Sequence, residues 1–262
     1  LKNFLSPLRY PGGKTRAVDQ ISALIPKDTK EIIAPFFGGG SVEIHCAKQG
    51  IKVKGYDIFK SLVEFWECIF EDRYKLAKLI EEYHPLTKER FYELQKNQST
   101  YEPKFRRAAV FFVLNRSSFS GSTLSGGMSP NHPRFNQSAI DRVKEFSVSG
   151  ITVENVDFSE SIPANSGKFF YLDPPYLIKS NLYGNKGDTH KDFQHEKLFN
   201  IIKNEENWIL SYNSCKEIED MYKDFNFIYP NWKYGMSKEK DSKEIIILSH
   251  NVFEKLKKEG VI

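Results

Sequence analysis

The stretch Phe169-Phe170-Tyr171-Leu172-Asp173-Pro174-Pro175-Tyr176 concentrates groups that can do chemistry. Its apolar first half, introduced by Ser166-Gly167-Lys168, has the pattern of a parallel strand buried on both faces. The strand stops at Asp-Pro-Pro-Tyr, so a carboxylate and an aromatic ring arrive at a strand's carboxyl end, where open α/β sheets take their ligands. The two prolines hold the backbone extended and remove its N–H groups, which leaves the Pro174 carbonyl free to accept a hydrogen bond. An exocyclic amine conjugated to an aromatic ring needs this set. Its lone pair is delocalised, and acceptors that take both N–H groups favour the pyramidal, nucleophilic nitrogen. Asp173 and the Pro174 carbonyl would be the two acceptors, and Tyr176 would stack on the base, a contact of about 1–3 kcal/mol. A rigid turn would account for the aspartate and the prolines, but not for their place after a buried strand.

A glycine-rich unit near the start carries a second kind of chemistry. Glu31 to Pro35 reads as a short buried strand, Phe36-Phe37-Gly38-Gly39-Gly40 as a loop opening a helix over Ser41 to Gln49, and Lys52 to Tyr56 as a strand ending at Asp57. Asp57 follows Gly38 by 19 residues, the separation at which an acid ending the second strand of a βαβ unit meets ribose hydroxyls. Three consecutive glycines are not the G-x-G-x-x-G dinucleotide fingerprint. They suit a nucleoside cofactor without a pyrophosphate, S-adenosylmethionine rather than NAD. Upstream, Leu8-Arg9-Tyr10-Pro11-Gly12-Gly13-Lys14 forms a tight turn before a helix over Thr15 to Leu24, with an aromatic face and an ammonium placed to grip a zwitterion.

Such groups need elements to hold them. Apolar residues at helical spacing predict helices over Ser61 to Tyr83, Thr87 to Asn97, Phe105 to Leu114 and Gln137 to Phe146, with Arg106 and Arg107 on the first turn of the third. A small, polar loop runs from Asn115 to Phe135, and its Arg116, Ser118, Phe119, Met128, Arg134 and Phe135 mix hydroxyl, cations and wedge-capable apolar groups. That mixture suits a nucleic-acid groove, and a lid over a small-molecule pocket is the competing reading. Further strands are predicted at Ile151 to Asn155, Phe169 to Leu172, Trp208 to Ser211, Asn226 to Pro230 and Glu244 to Ser249, with helices over Gln194 to Lys203 and Cys215 to Tyr222. Polar loops at 181–192 and 233–243 complete the pattern, the first expected to close over the site. Alternating strands and helices define an α/β chain with a mostly parallel sheet.

Composition narrows the class. The net charge is only +4, yet residues 101–145 hold seven Lys/Arg against three acids, a surplus equal to that of the whole chain. A localised basic segment is what phosphate-backbone binding uses. The three cysteines are far apart and the six histidines scattered, which argues against a zinc site or disulfide framework and for a reducing cytoplasm. Neither a secretory-leader pattern nor an apolar run of the roughly 20 residues needed to span a bilayer is read.

The succession of Arg9-Tyr10-Pro11-Gly12-Gly13-Lys14, Pro35-Phe36-Phe37-Gly38-Gly39-Gly40-Ser41-Val42, Tyr56-Asp57-Ile58, Asn115-Arg116, Asp157-Phe158, Asp173-Pro174-Pro175-Tyr176 and Leu210-Ser211-Tyr212-Asn213 resembles the Dam-like DNA adenine N6-methyltransferases over nearly the whole chain. The resemblance implies a Rossmann-like, mostly parallel seven-stranded sheet formed by 1–64 and 147–262, binding S-adenosylmethionine. It implies an inserted helical target-recognition domain at 65–146 that binds double-stranded DNA. Tyr10, Lys14, Asp57 and Asp173 would touch the cofactor, with Phe36 and Ile58 alongside, Gly38, Gly39 and Gly40 beneath its methionine part, and Asp157 and Phe158 bordering its adenine. Arg116 would lie near the DNA. Asp173, Pro174, Pro175 and Tyr176 would form the catalytic tetrapeptide, without a metal. The chain departs from the family pattern at Ala34, where an acid is common, at Phe59, where asparagine is frequent, and at Gly121-Ser122-Thr123-Leu124, where several members have Gly-Leu-x-Arg. The same tetrapeptide also serves cytosine N4 or adenine in RNA, and a non-catalytic DNA-binding relative is the remaining alternative.

Overall fold

Strand alternation sorts the apolar side chains onto two faces of one sheet. Ile32, Tyr171, Ile209, Ile246 and Leu248 join one buried cluster, while Ile33, Phe170, Leu172, Leu210, Ile245 and Ile247 join another. The computed structural model describes residues 6–10, 12–129, 134–177, 193–230 and 244–262. The loops expected at 181–192 and 233–243, and His132-Pro133, lie outside these residues.

The strands are β1 (Glu31–Ala34), β2 (Lys52–Tyr56), β3 (Ile151–Glu154), β4 (Phe170–Leu172), β5 (Trp208–Asn213), β6 (Asn226–Ile228) and β7 (Glu244–Leu248). The helices are α1 (Val18–Ala23), α2 (Ser41–Lys48), α3 (Lys60–Glu81), α4 (Lys88–Asn97), α5 (Lys104–Ser117), α6 (Gln137–Glu145), α7 (Phe158–Ala164), α8 (His195–Ile202), α9 (Lys216–Met221) and α10 (His250–Lys258). The seven strands lie in the order β3-β2-β1-β4-β5-β7-β6, parallel except for β7, which runs antiparallel to both neighbours. The expected mostly parallel seven-stranded sheet is therefore present. Strand order reverses between β1 and β4, which pair through Ile33 and Phe170, so the ends of these two strands flank the switch point where such sheets bind ligands.

Helices α3 to α6 enter between β2 and β3. α5 is apolar around most of its circumference and is correspondingly buried, with Phe112 stacked on Phe65 of α3 at 5.6 Å and 12°. The expected domain boundary at 64/65 falls inside α3, whose Trp66 donates its indole N–H to the Gly38 carbonyl at 3.0 Å. The helical insertion is thus fastened to the glycine loop near its start.

Several elements differ from expectation for local reasons. α3 breaks at Asp72 (φ −154°, ψ 88°), whose carboxylate accepts from the Tyr74 and Lys75 amides at 3.1 and 2.9 Å and caps a second segment. α5 runs on through Ser117, so Asn115 and Arg116, assigned to the loop, are buried helical residues. Among the described residues of that loop, a 3₁₀ turn at Phe119–Gly121 and a bridge from Ser118 to Met128 organise the chain. α7 was masked in the sequence by Pro163 and α10 by its polar outer face; Asp157 and Ser249 cap them, accepting from Ser159 and Val252 amides at 2.9 and 3.4 Å.

Phe37 shows how tightly the sheet and insertion are joined. Its ring meets Trp66 edge-on at 5.2 Å, and a methyl added to Gly55 of β2 would fall 2.2 Å from Phe37 Cδ2. Gly55→Ala is therefore expected to lower stability by about 1–3 kcal/mol, the usual cost of overpacking, measured as a lower urea midpoint. An unchanged midpoint would contradict this packing.

Candidate active site

The carboxyl ends of β1, β2 and β4 bring together most of the residues singled out by their chemistry. Gly13 closes the turn at Tyr10 with a 3.0 Å backbone bond, and Lys14 follows it toward the carboxyl end of β4. The Lys14 ammonium donates to Asp173 Oδ1 and Oδ2 at 2.7 and 2.9 Å and to the Gly12 carbonyl at 3.0 Å. These three acceptors match its three protons. Lys14, expected to touch the cofactor, is only 3% exposed and serves as the counter-ion of Asp173.

Asp173 keeps an opening beside that cation: its side chain remains 22% exposed. Burial raises the Asp173 carboxyl above the ordinary value, Lys14 pulls it back, and Glu244 pushes it up again. A carboxylate offers about four lone-pair sites, so two bonds from Lys14 leave acceptor capacity. The Pro174 carbonyl accepts no hydrogen bond from the described residues, as its place before a second proline suggests. The Tyr176 hydroxyl donates to Glu244 Oε1 at 2.7 Å; its ring lies 6.0 Å from Tyr212, 27° from parallel.

The glycine loop lies under Tyr10. A methyl on Gly39 would fall 2.8 Å from Tyr10 Cβ, and one on Gly38 3.0 Å from Tyr10 Cε1, so these glycines admit an aromatic ring that is itself 36% exposed. Gly40 has φ +64°, which also requires glycine. Asp57 Oδ2 accepts from the Gly38 amide and Oδ1 from the Phe59 amide, both at 2.9 Å. Burial raises its carboxyl, and these two amides oppose the rise. Asn155 holds the Asp57 and Ile58 carbonyls at 2.8 and 3.0 Å, with the Ile58 side chain exposed. Phe36 and Phe158 stand 5.5 Å apart, each within 5.6 Å of Phe193.

The expected DNA-contacting residues separate. Phe119 is 65% exposed and Arg134 is exposed, while Arg116 donates to the Arg134 carbonyl at 3.2 Å. Burial, then Arg142, Arg9 and Arg134, bring Arg116 down to about 10, and no carboxylate pairs with these four arginines among the described residues. Arg106 and Arg107 belong elsewhere. They lie about 15 Å from Arg116 along α5, Arg106 paired with Glu82 and Arg107 with Glu64 at 2.9 Å. Ser118 is buried and accepts from the Thr123 amide at 2.9 Å, Met128 packs on the helical core, and Phe135 is 3% exposed inside it. Apolar side chains needed by the insertion's core were not separable by type from wedges.

Two acids escaped the sequence reading. Glu244 opens β7, where a charged residue before three isoleucines resembles a strand end. Glu43 sits in the first turn of α2, 4% exposed, and its carboxyl is pushed up to about 8 by burial first and by Asp173 next, against its own amide and Lys14. Among the described residues no group of three His, Cys, Asp or Glu is arranged to hold a metal, and no helix is long and apolar enough to cross a membrane.

A mostly parallel seven-stranded sheet with one reversed strand, and acids at the ends of β2 and β4, is the fold of S-adenosylmethionine-dependent methyltransferases. Residues 10–236 match the D12 class N6 adenine-specific DNA methyltransferases, and the chain belongs to that family. It is an adenine-specific DNA methyltransferase. Among its relatives, type II methyltransferase M1.LlaDCHI of Lactococcus lactis subsp. cremoris is 23% identical over 242 residues, covering 83% of this chain and 84% of the relative. Type II methyltransferase M.MjaIII of Methanocaldococcus jannaschii is 26% identical, covering 75% and 77%. The DNA adenine methylase of Salmonella typhimurium is 26% identical, covering 64% of each chain.

Glu43 supplies a stability test. Between about pH 4.5 and 8 the folded protein keeps a proton on Glu43 that the unfolded chain releases, so stability falls as pH rises through that window. Glu43→Gln removes this fall. Relative to wild type it is expected to gain on the order of 2–4 kcal/mol between pH 5 and pH 8 in urea denaturation. A gap that does not change with pH would sink the assignment.

Proposed function

We propose that the protein methylates adenine N6 in double-stranded DNA with S-adenosylmethionine as donor, using Asp173, the Pro174 carbonyl and Tyr176 on a base flipped out of the duplex. The observation that carries this reading is a salt-bridged, partly open Asp173 at the switch point, beside a Pro174 carbonyl that accepts no hydrogen bond from the described residues. Flipping costs a few kcal/mol. Arg9, Arg134 and Arg142 would offset it through phosphate contacts, with the buried Arg116 adding positive charge beside them, and the helical insertion carrying most of them is the proposed recognition domain.

The donor set fits this cofactor. Carboxylates at Asp57 and Asp157 suit hydroxyl and amino donors, the rings of Phe36 and Phe158 suit a purine, and the exposed Tyr10 face above Gly38 and Gly39 suits the methionine part. Bound there, it supplies a methyl group already activated as a sulfonium. The protein's own task is then orientation. Asp173 and the Pro174 carbonyl accept from the two N–H groups of the target amine, while Tyr176 offers a stacking surface. Lys14 keeps Asp173 in the form that accepts. Rate would come from positioning and fixed electrostatics, not from a strong base.

Asp173→Ala is expected to abolish methyl transfer while DNA affinity stays within about threefold, because the phosphate contacts that dominate that affinity remain. Transfer of labelled methyl groups into defined duplex DNA, single-stranded DNA and RNA, followed by nucleoside analysis, tests role and substrate together. Near wild-type N6-methyladenine from the variant would remove Asp173 from the mechanism, and labelled RNA with unlabelled duplex would overturn the substrate.

Lys14 gives a pH test with a defined sign. Lys14 lowers the Asp173 carboxyl that burial raises. Lys14→Met should therefore move the acid limb of the kcat profile to higher pH by about one unit or more. A limb that stays in place or moves to lower pH would show that Asp173 protonation does not govern the rate.

A further inference from the structure

We infer that Glu244 is a positioning residue that, with Asn213 on the neighbouring strand, fixes the orientation of Tyr176 for the incoming base. This rests on the reading of Tyr176 as the base's stacking partner. Asn213 and Glu244 are directly opposed in the antiparallel β5–β7 pair. Side chains on one such rung share a face and lie within about 5.5 Å at their Cβ atoms. Both reach the catalytic segment at successive residues. Glu244 Oε1 accepts the Tyr176 hydroxyl at 2.7 Å, and the Asn213 carboxamide takes the Leu177 amide at 3.0 Å and donates to the Leu177 carbonyl at 2.9 Å.

The segment needs such fastening because of its own sequence. β4 ends at Leu172, and neither Pro174 nor Pro175 has an N–H to hold it to a neighbouring strand. The Leu177 amide is bound to Asn213, and the phenol oxygen of Tyr176 to Glu244. A ring pinned at its far end and at the backbone one residue on cannot swing about its Cα–Cβ bond without breaking a hydrogen bond, so the place of the ring is held. Glu244 also lies 3.8 Å from the Lys14 ammonium, itself 4.8 Å from the centre of the Tyr176 ring. Its charge therefore acts on Asp173 as well, and an adequate test separates the hydrogen bond from the charge.

The test uses the full chain, unmodified duplex DNA for the kinetics, the same duplex with 2-aminopurine in place of the target adenine for emission, four single variants and the Tyr176→Phe/Glu244→Ala double variant. Tyr176→Phe removes the donor and keeps the ring. Glu244→Ala removes acceptor and charge, Glu244→Gln keeps an acceptor without charge, and Tyr176→Ala removes the ring. Tyr176→Phe and Glu244→Ala are each expected to lower kcat about 10- to 100-fold, the size of a hydrogen bond to a charged group. KM for DNA and cofactor should stay within about threefold. The double variant should be no slower than the worse single one, since the same bond is lost twice. Glu244→Gln should recover most of the loss, and 2-aminopurine should be brighter in Glu244→Ala than in wild type because it stacks less well.

Additive losses in the double variant, or 2-aminopurine emission unchanged by Glu244→Ala, would overturn the positioning role while a strong Tyr176→Ala defect left the stacking reading intact. If Tyr176→Ala changes neither rate nor emission, the stacking reading falls first and this inference with it. Should Glu244→Ala not fold, Tyr176→Phe alone decides: a kcat within about twofold of wild type contradicts the role.

Discussion

Lys14 gives its three protons to two oxygens of Asp173 and to the Gly12 carbonyl, and this one arrangement constrains much of what surrounds it. A carboxylate taken partly out of water at the end of a buried strand would take up a proton unless a cation compensates it. The cation in turn must come from a segment that can lay its backbone beside the carboxyl end of β4. A tight turn with Gly12 at φ +74° does this, bringing Tyr10 across the glycine loop in the same step. The spacing between Tyr10 and Lys14 therefore serves two surfaces: one aromatic and exposed, the other ionic and buried.

Around Lys14 the carboxyls outnumber the ammonium. Asp173, Glu244 and Glu43 all act on the same small volume, and three negative charges against one positive would be costly there. The protein resolves this unevenly. Glu43, the most deeply placed and without a cation of its own, holds its proton at neutral pH; Asp173 takes the ammonium; Glu244 accepts from the Tyr176 hydroxyl. Ionisation thus follows burial and partner, and the carboxylate left best placed to accept from a bound amine is the one at the strand end.

The parts legible in the sequence were those with a local cause. Short apolar strands, a glycine loop and an Asp-Pro-Pro-Tyr terminus each announce themselves, and the seven strands stand where their patterns put them. What the sequence withheld was partnership. Nothing near Lys14 indicates that its ammonium faces a carboxylate 159 residues away, nor that Glu244 will meet the hydroxyl of Tyr176. Residue type was also silent on burial within the basic segment. Arg107 and Arg116 lie on one helix, yet one is neutralised by Glu64 and the other stands among arginines. Phe119 and Phe135 are alike in the sequence, but only Phe119 faces outward.

Asn115 is one polar centre of the joint between the helical insertion and the site. Its carboxamide binds the Arg9 backbone in both directions, accepting from the amide at 2.9 Å and donating to the carbonyl at 2.8 Å, and its second N–H faces Thr123 at 3.2 Å. A side chain that mimics a strand partner in this way holds Arg9 to the end of α5 as a β-ladder would. Gly121 makes the approach possible, because a methyl there would fall 2.3 Å from the Arg9 carbonyl oxygen. Tyr10 follows Arg9 directly and covers the glycine loop, while Trp66 reaches that same loop from α3. The helical insertion is consequently fastened at two points, through α5 to Arg9 and through α3 to the glycine loop, so its displacement strains hydrogen bonds at both. On the proposed function, these buried hydrogen bonds, and not a flexible linker, would carry the position of bound DNA from the helical insertion to the residues that align the base.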